Sequence, residues 1–107
     1  MTFDEYQDFV QSVANPCDDE LTDVCMVLGL AGEAGEVADL YKKHHTHGHD
    51  LDQEKLAKEL GDVLWYVAEV ARRNNWDLSR IVKMNVDKLS KRYDGGFSHE
   101  KSINRTD

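Results

Sequence analysis

Two octets of this chain carry acids at matching places. Residues 30–37 read LAGEAGEV and residues 56–63 read LAKELGDV, agreeing at Leu, Ala, Glu, Gly and Val, with Glu and Asp exchanged at the seventh place. The chain resembles itself there at acidic as well as apolar positions. With about 100° of rotation per residue in a helix, Glu33 and Glu36 fall on one side of a stripe centred on Ala34, and Glu59 and Asp62 hold the same relation to Leu60. Residues three apart are helical neighbours. Each helix therefore carries a carboxylate pair at the edge of its buried face, and two antiparallel helices could turn all four acids into one cleft.

Like charges gathered in this way raise one another's pKa, so a cation should sit among them. Carboxylate oxygens are hard ligands suited to Mg²⁺ or Mn²⁺, and Mg²⁺ characteristically completes its shell with water and substrate phosphates. A magnesium-phosphate site is the chemistry these residues predict. The competing reading is that both pairs are solvated helix edges, the usual fate of acids on helices. Their matched offsets weigh against it, as do Gly32, Gly35 and Gly61 beside them. A helical glycine costs about 0.8–1 kcal/mol relative to Ala, which calls for close helix approach or room for a ligand.

The elements that must position these acids are helical. Phe3, Tyr6, Phe9, Val10 and Val13 recur at three and four within residues 2–14, before the Asn15-Pro16 step disfavours continuation. A second helix starts near Asp18 to Leu21 and runs through Tyr41, with Lys42, Lys43, His44 and His45 at the end where the dipole favours cations. Asp52 is the expected N-cap of a third helix, whose Leu56, Leu60, Val63, Leu64, Val67, Val70 and Ala71 form one apolar stripe. Asn74 and Asn75 end it. A fourth, capped by Asp77 or Ser79, runs through Ile81, Val82, Val86 and Leu89 and stops at Gly95-Gly96. No segment shows sustained period-two alternation. The expected fold is all-α: a four-helix bundle over residues 1–94 with the second and third helices as its antiparallel central pair, followed by a polar C-terminal tail, residues 95–107.

Composition narrows the function classes. The chain has 107 residues and one Pro, which argues for one domain, and at this size a single core is modest enough that a second copy is expected to share in stability. A formal charge of -8 argues against a nucleic-acid or anionic-membrane binder. No run approaches the length of a membrane span. The start, MTFDEYQDFV, is acidic where a signal peptide would be basic, so a cytoplasmic protein is expected. Cys17 and Cys25 match no zinc-type or redox spacing and are expected to be ordinary reduced, buried cysteines.

Three segments carry a resemblance: GEAGEVADLYKK with Glu33 and Glu36, KLAKELGDVLWYV with Glu59 and Asp62, and MNVDKLSKRY with Asn85, Lys88, Arg92 and Tyr93. Over roughly residues 25 to 97 the chain resembles the MazG-like all-α nucleoside triphosphate pyrophosphohydrolases. The resemblance implies hydrolysis of nucleoside triphosphates between the α and β phosphates, giving monophosphate and pyrophosphate with Mg²⁺, in a homodimer or a dimer of dimers. It further implies Glu33, Glu36, Glu59 and Asp62 as metal ligands, and Lys55, Asn85, Lys88 and Arg92 as contacts to phosphates or sugar. Glu36 or Glu59 would orient or deprotonate the attacking water, and the residues alone do not choose between them. The chain departs from the commonest family pattern in carrying Gly32 where many relatives place another Glu. Ions held by the four acids would bind phosphate oxygens, acidify a water and stabilise charge in an in-line displacement.

Other features are weaker. The HHTHGHD turn, with His44, His45, His47 and His49, would suit either a transition metal or a solvated loop. Trp65, Tyr66 and Trp76 would stack on a base or pack in the core. Gln7 and Gln11 would read a base edge from a helix flanking the cleft. Two alternatives remain open here: a non-catalytic acidic helical protein binding metal or a partner helix, and a phosphoribosyl-ATP pyrophosphohydrolase or dUTPase-like relative. A di-iron carboxylate bundle is disfavoured because neither acid-bearing helix has a Glu-x-x-His pair.

Overall fold

The computed structural model describes residues 1–106 and contains five helices: α1 (Phe3–Val13), α2 (Glu20–Thr46), α3 (Gln53–Arg73), α4 (Leu78–Arg92) and α5 (His99–Ile103). No strand occurs among the described residues. The chain is all-α, and α1 to α4 are the helices the periodicity predicts.

Local chemistry sets their ends. A capping box starts α1: the Glu5 N–H donates to Thr2 Oγ1 at 3.1 Å, and the Thr2 N–H to Glu5 Oε1 at 2.9 Å. Asp19 caps α2 by accepting from the Thr22 N–H at 2.8 Å, and Asp52 caps α3 through the Lys55 N–H at 3.0 Å, as expected. The start of α4 differs from expectation. Asp77 is its N-cap but makes no side-chain capping bond. Asp4 on α1 supplies the carboxylate, accepting from the Ser79 N–H at 3.0 Å and the Ser79 hydroxyl at 2.8 Å. A long-range contact thus does what a local cap would do.

The α2 and α3 helices pack antiparallel, since the contacts Asp23 to Arg73, Gly29 to Tyr66 and Glu33 to Glu59 run in opposite chain order. Gly29 permits that approach: a Cβ there would meet the Tyr66 ring at 2.2 Å. Gly32, Gly35 and Gly61 would meet nothing within 4 Å. Close helix approach inside the chain is therefore not their reason, and the expectation narrows to space for something outside it.

The core is small. Val10, Ala68 and Leu78 are buried, with Tyr6, Trp65 and Val67 packed against them. Gln7, expected to read a base edge, is instead a buried structural hub. Its Nε2 donates to the carbonyls of Ala68 at 3.3 Å and Trp76 at 2.9 Å, and its Oε1 accepts from the Leu78 N–H at 3.0 Å. Glu69 is fully buried and compensated by Arg72 at 2.6 Å and Arg73 at 3.3 Å. Arg73 continues to Asp23 at 3.1 Å and to the carbonyls of Asn15 and Cys17 at 2.9 and 3.0 Å, tying the end of α3 to the segment that enters α2.

The single chain does not close over its apolar surface. Its radius of gyration is 16.9 Å, against about 13 Å for a compact domain of this length. Its accessible area is 7976 Å², against roughly 6,100 Å² from the usual mass scaling. Leu60 and Leu64, expected within the buried stripe of α3, are 53% and 40% exposed, and Leu21, Val24, Val27 and Leu28 of α2 are exposed as well. One chain offers no second layer over these faces. Cys17 and Cys25 are free and exposed rather than buried. No helix is long and apolar enough to cross a membrane.

Beyond α4, the segment expected to be a polar C-terminal tail contains a short helix. Gly95 and Gly96, at φ 84° and 104°, turn it back, and α5 follows, started by Ser98 accepting from the Lys101 N–H at 3.0 Å. Asp107 lies outside the described residues.

Candidate metal centre

The antiparallel register of α2 and α3 brings acids from both octets together. Glu33, Glu59 and Asp62 each offer a carboxylate oxygen, and these oxygens lie within 4.8 Å of one another. Glu33 and Glu59 are half-buried, and Asp62 is exposed. The Glu33 carboxyl hydrogen-bonds that of Glu59, and this contact, with some burial and the charges of Asp62, Glu59 and Glu36, raises its pKa. Three hard oxygen donors from two helices, one with its pKa raised by its acidic neighbours, form a donor set that fits a divalent ion such as Mg²⁺ or Mn²⁺.

Glu36, one turn along α2, is exposed and stands outside that trio. Its charge raises the pKa of both Glu33 and Lys43. Lys43 is engaged by Asp39 at 2.8 Å, a bond that raises its pKa and lowers that of Asp39.

The cationic residues expected near phosphate are distributed differently. Lys55 is exposed in the first turn of α3, and Asn85 is exposed on α4. Lys88 and Arg92 line a recess between α4 and the C-terminal segment, and none of the four acids contributes to its walls. Lys91, Lys101 and Arg105 join them there, residues that periodicity does not single out because their partner element is a short helix.

The histidines do not add to the acidic trio. His44 Nδ1 lies 2.7 Å from the His49 carbonyl, and His44 and His45 meet edge to face at 4.8 Å. Tyr41 stacks on His45. Trp65 is half-buried against the core and Tyr66 fills the space above Gly29, whereas Trp76 is 51% exposed. Of the aromatics considered for base stacking, Trp76 keeps the most accessible face, while Gln7 is committed to the backbone.

Comparison with known proteins gives a consistent result. The family model of the MazG nucleotide pyrophosphohydrolase domain matches residues 21–97. The Gene 37 protein of Mycobacterium phage L5 is 37% identical over 84 residues, covering 75% of this chain and 74% of that protein. The rat (Rattus norvegicus) dCTP pyrophosphatase 1 is 35% identical over 88 residues, covering 77% of this chain and 52% of that protein, so the chain spans about half its length. No solved structure matches the chain.

Proposed function

Because the chain belongs to the MazG nucleotide pyrophosphohydrolase family, we propose that it hydrolyses a nucleoside triphosphate between the α and β phosphates with Mg²⁺, or Mn²⁺ in its place, releasing a nucleoside monophosphate and pyrophosphate. The observation that carries this reading is the convergence of Glu33, Glu59 and Asp62 from the two acid octets.

Glu33, Glu59 and Asp62 hold the ion, with Glu36 at the edge of the site as the fourth acid. Bound there, Mg²⁺ would neutralise phosphate oxygens and acidify a water. Glu36 or Glu59 orients the attacking water and accepts its proton. Exposure of Glu36 favours a base that meets solvent, whereas half-burial of Glu59 favours a ligand. Lys88 and Arg92 bind phosphate oxygens, and Lys55 and Asn85 contact phosphate or sugar.

The excess surface and the uncovered leucines of α2 and α3 support assembly into a homodimer or a dimer of dimers. A cytoplasmic setting, with its pool of Mg²⁺ and nucleotides, suits this chemistry.

The test is a panel of canonical and modified dNTPs and NTPs, with dCTP included because of the name of the rat relative. Equimolar monophosphate and pyrophosphate from at least one of them, dependent on Mg²⁺ or Mn²⁺, is the expected result. Failure of every nucleotide with either metal would sink the reading.

A further inference from the structure

The four acids of the octets stand on two helices, so their geometry depends on how α2 lies on α3. Among the described residues, α3 is the one helix that packs extensively on α2. Contacts tie the pair at successive points. At one end Asp23, in the first turn of α2, meets Arg73, the last residue of α3, at 3.1 Å. Farther along α2, Gly29 lies against the Tyr66 ring, and one turn beyond it Glu33 meets Glu59.

The end contact is built to hold position. Arg73 Nε donates to Glu69 Oε2 at 3.3 Å, Nη1 to Asp23 Oδ1 at 3.1 Å, and Nη2 to the carbonyls of Asn15 and Cys17 at 2.9 and 3.0 Å. Glu69, fully buried and bound by Arg72 as well, anchors the guanidinium within α3. A guanidinium presents its donors in a rigid planar fork, so partners on α3, on α2 and in the linker before α2 are fixed relative to one another. Apolar packing does not do this work at that end. A recess of about 230 Å³ opens between α2 and α3 beside the ion pair, with Val24, Val27 and Val70 on its walls. Gly29 on Tyr66 is then a pivot. At a rise of 1.5 Å per residue, Asp23 lies about 9 Å before Gly29 along α2 and Glu33 about 6 Å after it. Rocking that lifts Asp23 by about 1 Å therefore shifts Glu33 by roughly 0.7 Å the other way. Metal–ligand distances hold to within about 0.2 Å, so a shift of that size is felt by an ion shared among Glu33, Glu59 and Asp62.

We propose that Arg73 and Asp23 are positioning residues for the acidic trio: their clamp at one end of α2 sets the tilt and register at which Glu33 meets Glu59 and Asp62. They act through the helix, from about 15 Å along its axis. The functional consequence rests on the metal reading of the trio.

Arg73→Ala strips buried Glu69 of a partner and threatens the fold, so the test is made at Asp23, which is half-exposed. The probe is Mn²⁺, titrated calorimetrically into the full chain. Losing the clamp lowers the fraction of molecules with the trio assembled, and apparent affinity falls with that fraction. Asp23→Ala should bind Mn²⁺ about three- to fivefold more weakly than wild type, the upper range for a half-exposed ion pair, with an unchanged circular dichroism spectrum. Asp23→Glu should restore most of the binding. Glu20→Ala removes the other acid from the same first turn, one that no bond joins to Arg73, and should leave the affinity where it was. Equal Mn²⁺ affinity in wild type and Asp23→Ala would overturn the proposal, as would an equal loss in Glu20→Ala or a loss that Asp23→Glu does not restore. Should wild type bind no Mn²⁺, the metal reading fails, and hydrogen exchange in the metal-free chain decides the clamp separately. Faster exchange of the amides of residues 30–36 in Asp23→Ala than in Glu20→Ala supports it, and indistinguishable exchange defeats it.

Discussion

The Glu33 carboxyl on α2 hydrogen-bonds the Glu59 carboxyl on α3, joining the two helices at a point where the octets predict a metal and raising the Glu33 pKa. Folding raises the Glu33 pKa, which means the folded chain binds a proton that the unfolded chain has already released. Stability from this group is present below the ordinary carboxylate range and falls as pH rises through the raised value. Glu5, Asp19 and Asp39 act in the opposite direction, their pKa values lowered by bonds from Thr2, Thr22 and Lys43 respectively. The difference between wild type and Glu33→Gln isolates Glu33. Without metal, Glu33→Gln should unfold at a higher temperature than wild type near neutrality, and the gap should close as the medium is acidified. Adding Mg²⁺ should stabilise wild type increasingly with pH and leave the variant nearly unmoved. A variant less stable than metal-free wild type at neutral pH would contradict the raised Glu33 pKa.

Glu36 is exposed and outside the trio, so Glu36→Gln should change unfolding free energy by no more than about 0.5 kcal/mol. Turnover should nevertheless fall at least about 100-fold if Glu36 is the base. Should Glu36→Gln keep wild-type kcat while Glu59→Gln loses it and still binds Mg²⁺, the base is Glu59. Single-turnover kinetics with a separate metal titration distinguishes the cases.

Gln7 illustrates why part of this molecule was legible in the sequence and part was not. Helix periodicity, the Asp52 cap and the repeated acids are local signals; the helices and the cap lie where the spacing puts them, and of the four acids Glu33, Glu59 and Asp62 come together while Glu36 stands outside. The α5 helix and the Asp4 cap of α4 depend on contacts between distant segments and leave no periodic trace. Burial of Gln7 belongs to the second class, because an amide on α1 looks the same whether it faces solvent or the Leu78 N–H 71 residues away. Gln7→Ala should destabilise by about 1–3 kcal/mol for each buried group left unpaired. Base preference should not change. A shift in nucleotide selectivity without loss of stability would restore the base-reading role.

The glycines separate packing from access. Gly29→Ala drives a methyl into the Tyr66 ring and should cost about 1–3 kcal/mol through overpacking. Gly32→Ala and Gly61→Ala meet open space and should gain up to about 0.8–1 kcal/mol of helix propensity in a solitary chain. Loss of nucleotide or metal binding in these stabilised variants would mean that the absent side chains make room for a ligand. Denaturant titrations paired with binding measurements on the same samples make the comparison.

Leu21 and Leu28 stand one heptad apart on α2 at 72% and 65% exposure. If they face solvent, Leu21→Glu/Leu28→Glu should be nearly neutral, as surface changes are. If a second copy covers them, two charges would be buried in an apolar contact, and the assembly should dissociate. The proposed homo-oligomer predicts a mass of two or four chains by light scattering for wild type. It predicts a smaller species for the Glu pair, with concentration-dependent unfolding in wild type alone. Arg73→Ala is the control: loss of its bonds to buried Glu69 and to Asp23 should lower stability by about 3–5 kcal/mol without changing which faces associate. A wild-type chain that runs as one copy at high concentration would leave the 7976 Å² surface without a partner and defeat the assembly.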